Sequence, residues 1–184
     1  MAKTVVMVGT LDTKGEEFAY VQALLKKKRV KTIVVDFGVL GEPAFAPDIS
    51  RRTVAAAGGG DLERFRFGEH KDEALAAMAD GLAHVVRQLY DSGKLDGIIG
   101  MGGSSGTSIA TNAMRTLPVG VPKLMVSTVG GDDVSAYAGD KDITFMPSIV
   151  EVAGFNRISR TIYTNAAGAI SGMVSMAAPE EVGD

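Results

Sequence analysis

A segment rich in glycine and hydroxyl groups, residues 100–107, is the part of the sequence best suited to chemistry. It reads GMGGSSGT and lies between an apolar run and a stretch with helical spacing. Backbone N–H groups at the start of a helix bind phosphate or carboxylate when no side chain blocks their approach. The same pattern also suits an ordinary turn between strand and helix, with serine as the capping residue. We predict that this segment grips phosphate through Gly102, Gly103, Ser104, Ser105, Gly106 and Thr107.

The spacing of these glycines excludes two common phosphate-binding motifs. A Walker A loop requires GxxxxGK[ST], which occurs nowhere in the chain. A dinucleotide fingerprint requires GxGxxG, and here Ser105 occupies the place of the third glycine. The segment also does not follow the first apolar run, where a Rossmann fingerprint is expected. The segment therefore indicates a phosphate-binding loop, but its pattern does not identify a reaction.

A second group of polar residues follows the first apolar run. Gly9, Thr10, Asp12, Thr13 and Lys14 occupy this position. Lys14 could pair with a phosphate, and Asp12 could accept a hydrogen bond from a ribose or bind Mg²⁺. Alternatively, Asp12 or Thr13 caps the helix that follows. Both interpretations place these residues at the end of a strand, where a ligand would be expected.

Three further segments supply candidate ligand contacts. Asp36 closes the second apolar run, where a carboxylate often meets a ribose hydroxyl but can equally form a turn. Thr128 and Gly130 follow the fourth run, in a segment that could contact ribose or form a solvated turn. Asn156 and Arg157 stand at the start of the last helical stretch. Arg157 could clamp a phosphate or form a salt bridge.

Apolar runs alternate with helical patterns along the chain. The predicted strands are residues 4–8, 32–35, 97–101, 123–127 and 143–146, and the predicted helices are 16–28, 72–91, 105–115 and 157–176. The segment 37–69 is irregular, with one candidate helix at 49–57. This alternation predicts an α/β fold with a doubly wound, mostly parallel sheet, a Rossmann- or flavodoxin-like three-layer sandwich. Ligands of such sheets bind at the carboxyl ends of the strands, so we expect the candidate residues to meet at that edge.

Composition limits the classes of function. The 184 residues carry a formal net charge of −3, which does not favour nucleic-acid binding. The absence of cysteine excludes disulfides and thiolate chemistry, and the presence of only two histidines does not favour a histidine metal site. The apolar start, residues 4–9, is too short for a signal peptide or a membrane span, so we expect a cytoplasmic protein. No catalytic constellation can be assembled, and whether the chain is an enzyme stays open.

Six motifs occur in order along the chain, and together they resemble one family. They read GTLDTKGE (9–16), GGSSGT (102–107), PVGVPKLMVST (118–128), DIT (142–144), NRIS (156–159) and NAAGAISGM (165–173). The set is similar to the N-terminal ATP-binding domain of the tobamovirus (tomato mosaic virus) resistance-protein-like family of bacteria and plants. This resemblance implies an α/β domain that binds ATP, with or without Mg²⁺, and is usually the first of two domains. In the plant member it also implies inhibition of a viral replication protein by direct binding.

Two departures from the family pattern bear on function. Ser105 stands where the family loop usually has glycine, which would narrow the approach to phosphate. The family's second domain is missing: residues 1–178 form the predicted domain and 179–184 a linker, which indicates a truncated form or a separately encoded half. The leading prediction is therefore a regulatory or partner-dependent nucleotide-binding module that forms a homodimer. Gly168 and Gly172 favour close helix packing, either within the chain or across that dimer.

Two alternative functions remain open at this point. The chain could be half of a small-molecule kinase or ligase, with Mg²⁺ held by Asp12 or Asp132. It could also be a protein-interaction domain whose glycine-rich segment has only a structural role. Binding of ATP would separate the first two functions from the third, and release of ADP would separate a kinase from a simple binder.

Overall fold

Five parallel strands form the centre of the computed structural model, which describes residues 2–65 and 70–176. In chain order they are β1 (Thr4–Gly9), β2 (Lys31–Asp36), β3 (Gly97–Gly102), β4 (Lys123–Ser127) and β5 (Thr144–Pro147). Their order across the sheet is β2-β1-β3-β4-β5, and every neighbouring pair is parallel. Val6 of β1 is paired with Ile33 on one side and Ile98 on the other. This is the order of a doubly wound sheet, so the predicted fold class is confirmed.

Helices cover both faces of the sheet. In the described part of the chain they are α1 (Leu11–Lys27), α2 (Arg51–Ala57), α3 (Leu62–Phe65), α4 (Lys71–Asp91), α5 (Ser104–Met114), α6 (Ser135–Ala138) and α7 (Arg157–Ser175). Successive residues of a strand point to opposite faces. Val6 and Val8 accordingly pack in the core under α2, α4 and α5, while Val5 and Met7 pack in the core under α1 and α7. Burial on both faces explains why the strands are continuous apolar runs.

The predicted elements agree with the structure within two residues, except at the start of α1. That helix was predicted from residue 16 but begins at Leu11, because Leu11 is fully buried and Lys14 N already donates to Thr10 O. The predicted polar loop after β1 is therefore mostly the first turn of a helix. The helix cap is Thr10, whose side chain makes no capping hydrogen bond, so the predicted capping by Asp12 or Thr13 is wrong. The predicted linker, residues 179–184, lies outside the described residues.

A buried lysine fastens the amino edge of the sheet, opposite the glycine-rich segment. Lys123 is fully buried, and its Nζ donates to Pro118 O, Val121 O and Asp142 Oδ1 at 2.7, 2.8 and 2.7 Å. Asp142 Oδ2 also accepts from Gly120 N at 2.8 Å. Burial acts to raise the pKa of Asp142, but the hydrogen bonds from Lys123 and Gly120 and the lysine charge lower it overall. The family motifs at residues 118–128 and 142–144 are therefore joined by a structural contact.

Replacing Lys123 with methionine tests this contact. We expect Lys123→Met to lower the free energy of unfolding by roughly 1–3 kcal/mol, because buried carbonyl oxygens lose their donor. The matched control is Lys3→Met, which removes an exposed ion pair with Asp96 (3.0 Å) at the same edge and should cost less than about 1 kcal/mol. Urea denaturation measures both variants, and equal losses would contradict a special role for the buried lysine.

Candidate functional site

A cavity of about 440 Å³ opens at the carboxyl edge of the sheet, beside the ends of β1 and β3. These two strands are neighbours, but the chain leaves them for helices on opposite faces, α1 and α5. Ligands of doubly wound sheets bind at such a point. The cavity is lined by the starts of α1, α4 and α5, by Phe65 of α3, and by the loop that follows β2. The fold thus brings three helix N-termini to one cavity.

The polar side of the cavity consists mainly of hydroxyl groups and one lysine. Thr10 and Thr13 lie at the start of α1, and their hydroxyl oxygens are hydrogen-bonded at 2.8 Å. Ser105, in the first turn of α5, is exposed and also lines the cavity. Lys71 begins α4 and forms no salt bridge with any residue that the structure describes. Because helix N-termini carry partial positive charge, this side favours an anion.

Gly106 lines the cavity and has no structural reason to be glycine among the described residues. Its backbone is not left-handed, and a Cβ built on it would have no neighbour within 4 Å. Glycine inside a helix costs up to about 1 kcal/mol relative to alanine. Gly100 is different, since a Cβ there would lie 2.8 Å from the sulfur of Met125, so packing explains it. The open space at Gly106 leaves the N-terminus of α5 accessible.

Asp12 lines the cavity, yet one of its oxygens is already used by the protein. Its Oδ2 accepts from the N–H groups of Leu40 and Gly41 at 2.7 and 3.0 Å, and so holds the loop after β2. Its Oδ1 is buried and has no hydrogen-bond partner in the part of the chain that is described. The predicted role of Asp12 toward ribose or Mg²⁺ stays a prediction.

Asp36 is fully buried and does not line the cavity. Its Oδ1 accepts from the N–H groups of Leu11 and Gly38 at 3.0 and 2.9 Å, whereas its Oδ2 has no partner among residues 2–65 and 70–176. Burial raises the pKa of this carboxyl, the two N–H groups lower it, the Asp12 charge raises it, and the net shift is upward. Asp36 therefore joins the start of α1 to the loop after β2.

Other predicted ligand contacts have structural roles of their own. Thr107 is buried, and its hydroxyl lies 2.6 Å from Ser127 Oγ, which ties α5 to β4. Asn156 caps α7 by accepting from backbone N–H groups of the first turn. The cavity brings together Thr10, Asp12, Thr13, Ser105 and Gly106, but not Gly9, Lys14, Asp36, Gly102, Gly103, Ser104, Thr107, Thr128, Gly130, Asn156 or Arg157. The assignment of all these residues to a ligand stays a prediction.

Sequence reasoning missed Lys71 and the apolar wall of the cavity. Lys71 stands one residue before the predicted start of its helix, a position where a lysine has no special meaning in sequence. Ala74, Leu75 and Met78 share one face of α4 at spacings of three and four, the same stripe that predicts a helix packed on a core. Part of that stripe lines the cavity, and only the packing of α4 determines which part.

The glycines of α7 face outward. Gly168 and Gly172 are exposed, and a Cβ on either would have no neighbour within 4 Å in the described chain. Close packing within the chain is therefore not seen among those residues, and packing across a homodimer stays a prediction. No helix in the described ranges is long and apolar enough to cross a membrane.

The sheet order and the cavity define this chain as a parallel α/β domain with a ligand-sized cavity at its switch point. Residues 3–179 match the family described as "Uncharacterised protein family (UPF0261) N-terminal domain", and the chain belongs to this family. A UPF0261 protein of Clostridium tetani is 44% identical over 184 residues, which are 100% of this chain and 46% of that protein. UPF0261 protein RA0729 of Rhizobium meliloti is 42% identical over 178 residues, 97% of this chain and 44% of that protein. The chain thus spans less than half the length of these curated relatives.

The predicted resemblance to a plant resistance-protein family is confirmed. ToMV resistance protein Tm-1(GCR237) of Solanum lycopersicum is 30% identical over 184 residues, which cover 91% of this chain and 24% of that protein. ToMV susceptible protein tm-1(GCR26) of the same plant matches with the same identity and coverage. Because the resistance protein and the susceptible protein match with the same identity and coverage, this similarity does not assign a resistance function to the chain. The ATP binding that the resemblance implies remains a proposal.

The upward pKa shift of Asp36 predicts how stability changes with pH. A carboxyl whose pKa is raised in the folded state stabilises the fold most below its ordinary value of 3.8, and this contribution is lost as pH rises through the folded-state pKa. Asp36→Asn keeps an acceptor for Leu11 and Gly38 and should remove this pH dependence. We expect the variant to be at least as stable as the wild type near neutral pH.

The control for this prediction is Asp142→Asn. The pKa of Asp142 is lowered, so its contribution to stability is present above 3.8 and is lost as pH falls through the folded-state pKa. Urea denaturation across about pH 3 to 7 compares the two variants with the wild type. A loss of stability near neutral pH in both variants alike would contradict the opposite roles assigned to these carboxyls.

Proposed function

We propose that this chain is a nucleotide-binding domain, that ATP is its leading ligand, and that the phosphates bind at the start of α5. The observation that carries the proposal is the accessible N-terminus of α5 at Gly106, on the wall of a cavity at the switch point. Backbone N–H groups in this position bind phosphate without a lysine-containing Walker motif. The glycine at 106 removes the side chain that would stand in the way.

Apart from the carboxylate of Asp12, the charges around the cavity support an anionic ligand. The N-termini of α1 and α4 add partial positive charge, and the hydroxyl pair of Thr10 and Thr13 adds one hydrogen-bond donor, because the other O–H donates within the pair. Lys71 supplies a full positive charge on the lining. The sequence prediction assigned this role to Lys14, but Lys14 is not among the lining residues. We therefore propose Lys71 as the lysine that pairs with a phosphate oxygen.

The apolar side of the cavity supports a ligand with an aromatic or other apolar body. Phe37 and Val39 of the loop after β2, Phe65 of α3, Met78 of α4 and Ile109 of α5 line this side. Ligand sites typically combine such a wall with a few polar groups, in volumes of roughly 300–1,000 Å³. A nucleotide matches this division, because its base is flat and apolar on both faces while its phosphates are charged.

The contacts favour a binding role over a self-contained enzyme. The kinase or ligase alternative relied on Asp12 or Asp132 to hold Mg²⁺. One oxygen of Asp12 is occupied by two loop N–H groups, and Asp132 is not among the lining residues. The relatives from Clostridium and Rhizobium are more than twice as long as the matched segment, which supports a module that acts with a further domain or partner. Mg²⁺ as a companion of ATP, and a homodimer as the assembly, remain part of the proposal.

Gly106→Ala separates a functional glycine from a structural one. If phosphate approaches the backbone at 106, the added methyl group should weaken ATP binding at least about tenfold. The same substitution should raise the free energy of unfolding by up to about 1 kcal/mol, because alanine favours helix and the added Cβ has open space. The matched control is Gly168→Ala, at an exposed helical glycine that also has open space for a Cβ; it should gain similar stability and leave ATP binding unchanged.

Calorimetric titration with ATP, with and without Mg²⁺, together with urea denaturation measures these effects. Absence of ATP binding by the wild type would falsify the proposed function. Unchanged affinity in Gly106→Ala would contradict the phosphate position, even if ATP binds. ADP release in the presence of candidate substrates would favour the kinase alternative.

Lys71→Met tests the proposed partner of the phosphates. Loss of one charge-assisted contact, worth about 1.5 kcal/mol, should weaken ATP binding about tenfold. Lys14→Met is the matched control, since Lys14 lies in the first turn of α1 but does not line the cavity, and it should change affinity less than about twofold. The reverse ranking of the two variants would restore Lys14 as the phosphate contact.

A further inference from the structure

The outward surface of α7 carries no charged side chain over most of its length. Residues 161–176 contain no Asp, Glu, Lys or Arg. Four exposed residues of this stretch recur at spacings of four, three and four, and so lie on one face of the helix. We call this the outer face, and it consists of Thr161, Asn165, Gly168 and Gly172. A helix on the surface of a globular protein usually has charged residues there, as α4 does at its exposed positions.

Two exposed apolar side chains extend the outer face at its ends. Ile158 is 48% exposed and lies three residues before Thr161, and Met176 is 78% exposed and lies four residues after Gly172. Residues at these spacings are neighbours on a helix surface. Single exposed apolar residues are common, but apolar residues grouped on a face without charge are typical of interaction sites. The outer face therefore has the composition of an interface.

The two glycines of the outer face are not explained by contacts within the described chain. A Cβ built on Gly168 or on Gly172 would have no neighbour within 4 Å there, and neither backbone is left-handed. Glycine inside a helix is less stable than alanine at the same position. On a helix surface, glycine permits the close approach of another backbone. A polypeptide packed on the outer face would make use of both glycines.

The outer face lies between α1 and the edge of the sheet. On one side, Thr164 of α7 is hydrogen-bonded to Tyr20 of α1, with 3.0 Å between the two hydroxyl oxygens. α7 packs on β1, β3 and β4, and beyond β4 lies β5, which among the described strands pairs only with β4. Phe145 and Met146 of β5 are only partly buried. Proteins commonly protect such an edge strand by covering it, so a partner on the outer face could extend over β5.

In the relatives of this chain, more polypeptide is expected after the helix that corresponds to α7. The family model that matches residues 3–179 describes an N-terminal domain, and the matched segment makes up only 46% of the Clostridium tetani protein. In this chain α7 ends at Ser175, four residues before the end of the family match. The following domain is thus tethered within a few residues of Met176 and the outer face.

We propose that the outer face of α7 is the docking surface for the domain that follows this one in the longer UPF0261 relatives. The short tether keeps that domain at a high effective concentration near α7, so even a modest contact area is sufficient for docking. An uncharged face fits a partner surface that is itself apolar and uncharged, since a charged group buried there would have no counter-ion. The proposal does not depend on a ligand in the cavity, and a homodimer of the chain would use another surface.

Thiol labelling tests the docking directly, because the chain has no cysteine of its own. Gly168→Cys places a single thiol at the centre of the outer face. The matched control, Gln88→Cys, places one at an exposed position of α4, on the opposite side of the sheet. Each variant is prepared as the isolated chain and as a chimera in which this chain replaces the matched segment of the Clostridium tetani protein. Peptide mass spectrometry measures the rate of maleimide labelling at each position.

In the chimera, the thiol at position 168 should react at least about tenfold more slowly than in the isolated chain, because the core of an interface excludes solvent. The thiol at position 88 should react in both proteins at rates that agree within about twofold. If urea denaturation shows that the chimera is not folded, thiols at the two aligned positions of the full-length Clostridium tetani protein are used instead. Folding should then protect the position aligned with Gly168 at least about tenfold more than the one aligned with Gln88.

Equal labelling rates at position 168 in the chimera and in the isolated chain, or equal protection of the two aligned positions, would overturn the proposal. Equal slowing at positions 168 and 88 would also overturn it, since the cover would not be confined to α7. Slowing at position 168 in the isolated chain as its concentration rises would identify a second copy as the occupant, and would overturn the assignment to the following domain.

Discussion

Every feature of the candidate site depends on the position of β1 between β2 and β3 in the parallel sheet. From β1 the chain passes through α1 to one neighbour, and it returns past β1 through α4 to the other. Right-handed connections then require α1 and α5 to lie on opposite faces. Their first turns separate at the carboxyl edge, and the cavity occupies the space between them. The helix N-termini, whose first N–H groups have no partner within the helix itself, are the part of this edge best able to hold an anion.

A second constraint is the position of the loop after β2, which forms part of the cavity wall. The loop after β2 has no regular structure of its own, and its N–H groups need acceptors. Asp12 and Asp36 supply them from α1 and from the end of β2. Residues that sequence reasoning assigns to a ribose or a metal thus also shape the site itself. At the opposite edge of the sheet, Lys123 and Asp142 connect two family motifs without any contact to the cavity.

Much of the fold could be predicted from the sequence, because strands buried on both faces form continuous apolar runs whereas helices with one apolar face repeat apolar residues every three or four positions. The alternation of these elements also predicted that a cavity would lie at the carboxyl edge of the sheet. The side chains that face the cavity could not be predicted. The earlier start of α1 changes the direction of Asp12 and Lys14, and whether Thr107 or Asn156 meets a ligand or the backbone depends on neighbours brought close by folding. Lys71 becomes visible only once α4 is packed in place.

A crystal structure of this chain with ATP and Mg²⁺ tests most directly whether the phosphates bind at the start of α5. We expect the phosphates to lie within hydrogen-bond distance of the first N–H groups of α5 near Gly106, beside Lys71, with the base against the apolar wall of the cavity. ATP bound elsewhere on the domain, or a cavity that stays empty at saturating ATP, would contradict it.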